Sequence, residues 1–195
     1  QFKAGKTGER LLAVICEDAN GKSYRLPNQS EKDILSKVPK DSPRPSAMME
    51  VKNTRNFNTP GWGINNYGQI FTDRQITVLD KLVENFQNLR KCFDDTDYSN
   101  AVLTYIAIWI DRIAVANTSL GVWHTGGEKL ERIMGRQAIP MTFDYPESQP
   151  FCNSSGSALN QLDWILRYFE SESSNEFPVS FAHSSSGEKA QFDNK

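Results

Sequence analysis

Arg136, Asp144 and Glu147 carry charge inside residues 135–151, a stretch with no helical or strand period running through it. Pro140, Pro146 and Pro150 bar a continuous helix there. The stretch nevertheless keeps Ile139, Met141, Phe143, Tyr145 and Phe151, too many apolar side chains for a solvated linker. A segment of this kind lies against a core and presents its polar groups at a surface or cleft. Two chemistries fit the charges. Arg136 and Asp144 can pair and pin the loop to a helical layer. Alternatively, the permanently charged Arg136 meets phosphate or a cofactor, while Asp144 orients a polar group of a substrate. Gln137 and Glu147 belong to the same candidate surface.

Other residues invite the same weighing. Asp111 and Arg112 are the only charges between Asp97 and Glu128, in an otherwise apolar context. Buried charge needs a partner, so they are read as a structural charge pair bonded to a neighbouring loop. The alternative is that they line a cleft. Asn117, Thr118 and Ser119 come next and are suited to capping a helix or bonding backbone. Trp123 and His124 either close a core or stack on and bond a base. Cys16, Cys92 and Cys152 are far apart and form no Cys-x-x-Cys pair, and His124 and His183 are isolated, so no metal site is expected. No nucleophile–base pair, carboxylate dyad or phosphate-cradling loop is visible.

The elements that must position these residues are set by periodicity. Arg10–Glu17 reads as a buried strand, Asn20-Gly21 as a hairpin turn, and Lys22–Leu26 as the returning strand, ended by Pro27. A short helix opens at Ser30 and runs to about Val38. Prolines, asparagines and charges dominate from Pro39 to Thr59, and a glycine- and aromatic-rich loop occupies residues 61–68. Thr72 is an N-cap, with Gln75 in the first turn. Ile76, Leu79, Leu82, Val83, Phe86, Leu89 and Phe93 then mark an amphipathic helix. A second helix, from Tyr98 to about Ala116, is apolar nearly all round and is expected to be covered on several sides. A short helix over Glu128–Met134, ended by Gly135, and a longer one over Ser157–Phe169 complete the set, with a lone strand at Pro178–Ala182.

The resulting fold class is α+β and predominantly helical: an N-terminal β-hairpin, then three or four helices with long ordered loops. It reads as one module over 1–195. Hairpin plus short helix occupy 1–38, an extended loop 39–71, the helical core 72–170 and a tail 171–195. The 195 residues carry a net charge of −2, so nothing global calls for nucleic acid. Residues 1–60 hold 11 Lys and Arg against 7 Asp and Glu, a balance of +4, and the remainder 11 against 17. A mildly basic front end can face phosphate or simply be a solvated surface. Scattered cysteines and no signal peptide suit the cytoplasm. The uncharged run from Tyr98 to Ile110 is too short to span a bilayer, so no membrane is expected. A first residue Gln1 suggests an excised fragment.

Gly135-Arg136-Gln137-Ala138-Ile139-Pro140-Met141-Thr142-Phe143-Asp144-Tyr145, with Glu147, Pro150-Phe151 and the 154–157 turn, resembles a block in a family of large adenine-specific DNA methylases, some encoded beside anti-phage systems. The resemblance takes in residues 8–14, Tyr24–Pro27, Thr59–Gly63, Phe71–Gln75, Asp111-Arg112 with Asn117–Leu120, and Trp123-His124. It covers about residues 5–170 and corresponds to only the middle of such an enzyme. It implies a parent that uses S-adenosylmethionine and acts on DNA. The glycine-rich cofactor turn and the Asp-Pro-Pro-Tyr motif that bonds the flipped base are both absent from this chain. Asp144-Tyr145-Pro146-Glu147 does not replace the latter. The tail looks like the approach to the missing catalytic strand. The fragment is therefore expected to bind no cofactor and to be inactive by itself. It would help position DNA or brace the remaining methyltransferase domain. The rival expectation is a structural or protein-interaction helical module with no nucleic-acid contact.

Overall fold

The computed structural model describes residues 8–50, 59–131, 139 and 142–172. The expected class holds: an N-terminal hairpin precedes a mostly helical body. Strands β1 (Val14–Asp18) and β2 (Gly21–Arg25) pair antiparallel around the Asn20-Gly21 turn, with Val14 opposite Arg25. Gly21 has φ +111°, which explains a glycine there. The first strand begins at Val14 rather than Arg10. It is not buried either: neither strand holds a buried residue, and Ile15 and Tyr24 are exposed. The ladder is two-stranded and, among the described residues, no further layer seals its faces, so apolar strand residues remain wet. Helix α1 (Gln29–Leu35) starts at a capping box between Asn28 and Glu31.

Residues 39–71 are not one extended loop. They contain α2 (Thr59–Trp62) and a 3-10 turn, Tyr67–Ile70. Gly63, with φ +106°, ends α2, and Asn66 with Gln69 forms a second capping box. Gly68 is needed for approach: its N–H donates to Pro45 O, and a Cβ would stand 2.5 Å from that oxygen. Arg44 ties this turn to the start of the next helix, donating to Gly68 O, Phe71 O and the Asp73 carboxylate.

That helix, α3 (Asp73–Arg90), begins where its sequence indicates, at a Thr72–Gln75 capping box. Helix α4 (Asp97–Ala116) starts at Thr96, whose hydroxyl accepts from Ser99 N–H. It packs against α3 and against α5 (Ala158–Glu172). One small core joins Leu79, Ile113 and Ala158; a second joins Met49, Ile64, Ile70, Leu120 and Ile139; Phe71 touches both. Helix α4 is not covered on several sides. Leu103, Ile110, Ile113 and Ala116 face the body, while Tyr98 and Ile108 are exposed. The reason is geometric: two packed neighbours cover one flank of a helix that is apolar on most of its circumference. By length and composition the full helix is long enough to cross a membrane, which its uncharged run is not. It carries Asp111 and Arg112, and α3 and α5 pack on it.

The expected helix at 128–134 is corrected. Lys129–Glu131 is a strand, β4, paired antiparallel with β3 (Val122–His124). Gly126-Gly127 make the intervening turn, Glu128 takes φ +44°, and His124 Nδ1 accepts from Gly127 N–H at 2.8 Å. With only Leu130 buried, a strand alternation serves the segment better than a helical stripe. Residues 132–134 lie outside the described residues, as do the proposed strand at 178–182 and the tail beyond Glu172. Ser171 and Glu172 themselves continue α5.

Candidate functional site

The first turn of α3, the end of α4 and the loop 145–150 enclose a cleft of about 240 Å³. Its polar side is built around Arg74. The guanidinium donates to both Glu147 oxygens, at 2.9 and 3.2 Å, and to Glu9 Oε2 at 2.9 Å. Tyr145 OH lies at 3.5 Å from Nη2. A bidentate fork of this kind fixes geometry as well as charge. Burial alone would weaken the Arg74 cation, but the Glu147 and Glu9 carboxylates outweigh it and strengthen its hold on the proton. Burial, with Glu9 beside it, pushes the Tyr145 hydroxyl up to about 12.

The floor is set by Asn117, the residue after α4. Its amide donates to Ile113 O and Gly156 O, and its Oδ1 accepts from Ser148 N–H at 2.9 Å. One buried side chain thus closes the helix end, holds the 156 turn and pins the loop, in keeping with the backbone-bonding role expected of it. Pro150 O accepts from Ala158 N–H, joining the loop to the start of α5. Val78, Leu79 and Ile113 supply the apolar wall. Gln75 is 4% exposed; its Oε1 accepts from Thr72 N–H at 2.9 Å, while its Nε2 has no hydrogen-bond partner among the described residues.

The structure distributes the sequence candidates unevenly. Glu147 is at the cleft, but as the partner of Arg74, which accounts for its charge without a substrate. Asp144 is exposed on the same loop, beside Phe143, which is 77% exposed and meets Trp62 edge-on at 6.2 Å. Arg136 and Gln137 lie outside the described residues, so the Arg136–Asp144 pairing does too. Trp123 sits half-buried on β3, edge-on to Tyr24 at 6.4 Å, whose hydroxyl donates to Glu128. His124 is exposed, with Nδ1 committed to the hairpin turn. Neither is brought to the cleft. Asp111 is solvent-exposed and needs no buried partner, while Arg112 is half-buried. Neighbouring helical residues point about 100° apart, which separates their environments. Among the described residues no group of His, Cys, Asp and Glu is arranged to hold a metal.

Sequence reasoning missed Arg74 and the Nε2 of Gln75. Arg74 did leave a signal: a cation in the first turn of a helix opposes the helix dipole and implies carboxylate partners. The orphaned amide left none, because it depends on how the loop closes.

Compared with known proteins, the chain matches no family model, no curated protein and no solved structure.

Proposed function

We propose that this chain is an internal segment of a DNA adenine methyltransferase that uses S-adenosylmethionine, and that it braces the catalytic domain rather than performing chemistry. The observation carrying the bracing role is the anchored loop 142–151. Its inner side is fastened to α3 by Arg74–Glu147 and to α4 by Asn117, while Phe143 and Phe151 on the same loop are each 77% exposed. A loop held from behind, with aromatic rings outward, loses little ordering entropy on contact. The methyltransferase assignment rests on the motif likeness of the same loop. DNA positioning is the companion role, supported by the +4 balance of residues 1–60.

The alternative, a structural or protein-interaction module without nucleic-acid contact, draws support from the apolar groove between α4 and α5, whose walls include Val102, Tyr105, Ile165 and Phe169. A DNA titration across salt concentrations separates DNA positioning from both bracing and the alternative. DNA positioning requires measurable binding that weakens steeply as salt rises, through counterion release. No binding at low salt leaves bracing or the alternative. Calorimetry should detect no S-adenosylmethionine binding to the isolated chain, and a micromolar dissociation constant would overturn the reading of it as a non-catalytic segment.

A further inference from the structure

Helices α4 and α5 run antiparallel: Trp109 Nε1 donates to Ala158 O at the start of α5, and Tyr105 meets Phe169 near its end. The groove between them, about 360 Å³, extends from Tyr98 to Trp109 along α4. At 1.5 Å per residue that is roughly 16 Å, or about three helical turns. The lining is apolar apart from two tyrosine hydroxyls and the indole N–H of Trp109, which is already bonded to Ala158 O. Both walls are helices, whose backbone groups bond within themselves. The groove is nevertheless open: Tyr98 is 79% exposed, and Leu166 and Phe169 on the α5 wall are exposed as well.

The lining narrows what can cover it. An extended peptide or a loop would bring backbone N–H and C=O groups into a trough that offers them almost no partners. An α-helix satisfies its own backbone. The walls also carry the spacing that a helix interlocks with: Tyr98, Val102, Tyr105 and Trp109 on α4, and Leu162, Leu166 and Phe169 on α5, follow at alternating four- and three-residue steps.

Charge sets the rest. Tyr98 and Phe169 stand at the same end of the groove. Asp94, Asp95 and Asp97 lie just before Tyr98, and Glu170 and Glu172 just after Phe169, all exposed. Arg167 pairs with Asp163 at 2.6 Å, and Arg90 and Lys91 at the end of α3 are the other cations near in sequence. Five carboxylates against those two cations leave this end negative. It repels a nucleic-acid backbone or an anionic membrane and attracts lysine and arginine. Residues 173–195 do not match that demand: they carry three acids against two lysines, and Pro178 interrupts their apolar run.

We propose that the α4–α5 groove docks a basic amphipathic α-helix of a partner, about three turns long. Its apolar stripe lies between the two walls, and its lysine or arginine side chains sit over Asp97, Glu170 and Glu172. The groove shares no lining residue with the Arg74 cleft, so the proposal rests neither on loop 142–151 nor on the methyltransferase assignment. It gives the open half of α4 a partner of defined chemistry.

The test titrates capped, alanine-based helical peptides into the 195-residue chain by calorimetry. One peptide carries a stripe of leucines at alternating three- and four-residue steps, with lysines flanking the stripe in its last two turns. A second has glutamines for the lysines, a residue of similar helix propensity. A third keeps the lysines and has alanines for the leucines. The lysine peptide should bind saturably and at least tenfold more tightly than the glutamine peptide, and the third should not bind. Asp97→Asn, Glu170→Gln and Glu172→Gln together should remove most of that preference. Ala101→Arg, at an exposed lining position, should abolish binding. Should that variant fail to fold, Leu166→Arg, also exposed, should produce the same loss. No binding up to millimolar lysine peptide, equal binding of the lysine and glutamine peptides, or undiminished binding in a folded groove variant would overturn the proposal. Three other occupants would do the same. A second copy would show as a dimer in sedimentation that Ala101→Arg dissociates. A membrane would show as binding to phosphatidylserine vesicles that Ala101→Arg abolishes. The chain's own tail would show as nuclear Overhauser contacts from Phe177 or Phe181 to Tyr105 without peptide. Failure on any of these counts leaves the bracing role to its own test, whether Phe143→Ser with Phe151→Ser releases the chain from its catalytic domain.

Discussion

The two halves of α4 are both rich in apolar residues and have different fates. Its C-terminal half carries Ile110, Ile113 and Ala116 into the body and ends at Asn117, which bonds three backbone groups. Its N-terminal half carries Val102, Tyr105 and Ile106 into a groove of about 360 Å³ shared with α5. Of its lining residues, Tyr98, Leu166 and Phe169 are exposed. Tyr105 and Phe169 do meet, tilted at 60° with centroids 4.4 Å apart, but the contact closes only part of the groove. Both halves are mostly apolar, six of ten residues in Asp97–Ile106 and eight of ten in Ala107–Ala116, so apolar content alone does not explain the difference in burial. What differs is the polar hardware. The packed end has a buried amide and an Arg–carboxylate fork to hold a loop over it, and the open end has no such fastening among the described residues.

Four measurements put that contrast at risk. The largest effect concerns Ile113, which is 1% exposed. Ile113→Asp should cost about 3–5 kcal/mol or prevent folding, because it buries an unpaired charge. Ile106→Asp, at the open end, should cost no more than about 1 kcal/mol by chemical denaturation. Equal losses at the two positions would show that the groove is as well covered as the core.

Next is the fork. Arg74→Met removes the donor to Glu147 and Glu9 and should destabilise the chain by about 1–3 kcal/mol, the scale for leaving a partly buried charged group unpaired. Asp144→Asn, on the same loop but exposed, should stay within about 0.5 kcal/mol. A costly Asp144→Asn would place that carboxylate in the scaffold rather than at a presenting surface.

Tyr145 gives a pH-dependent reading of the packed end. Burial raises its folded pKa to about 12 from an ordinary value of 10.0. Its stabilising contribution is therefore complete below about pH 10 and is lost as pH rises towards about 12. Ultraviolet titration of phenolate should show one tyrosine ionising near pH 12, and Tyr145→Phe should abolish that step. If all tyrosines ionise near pH 10, the loop is not seated on α3.

The smallest effect belongs to the exposed hairpin. Glu31, bonded by Arg25 and by the Asn28 N–H, is held down to about 2 from an ordinary 4.5. Stability from this pair is present above about pH 4.5 and fades as pH falls towards 2. Glu31→Gln should remove that acid dependence with little change in melting at about pH 7, because the pair is solvent-exposed. An unchanged acid limb in the variant would assign it to other carboxylates.

Capping chemistry was legible in the chain. Thr72 with Gln75, the Asn20-Gly21 turn and the three-and-four spacing from Ile76 to Leu89 are local instructions, carried out by backbone groups within a few residues. For the same reason the starts of α3 and α4 fall within a residue of their expected places. The segment after Glu128 was misread because a three-residue strand has too few positions to display a period. Its state is decided by the partner strand across the Gly126-Gly127 turn. The candidate site was half legible. Glu147 stood out as a charge among aromatics, and Asn117 as a helix-end amide. That Glu147 would meet an arginine 73 positions earlier, that Glu9 would join them, and that closing the loop would leave one amide of Gln75 without a partner depend on long-range packing. Local sequence determines which groups each turn satisfies by itself. Only the tertiary arrangement decides which are left over, because an orphaned donor is defined by every neighbour that fails to reach it.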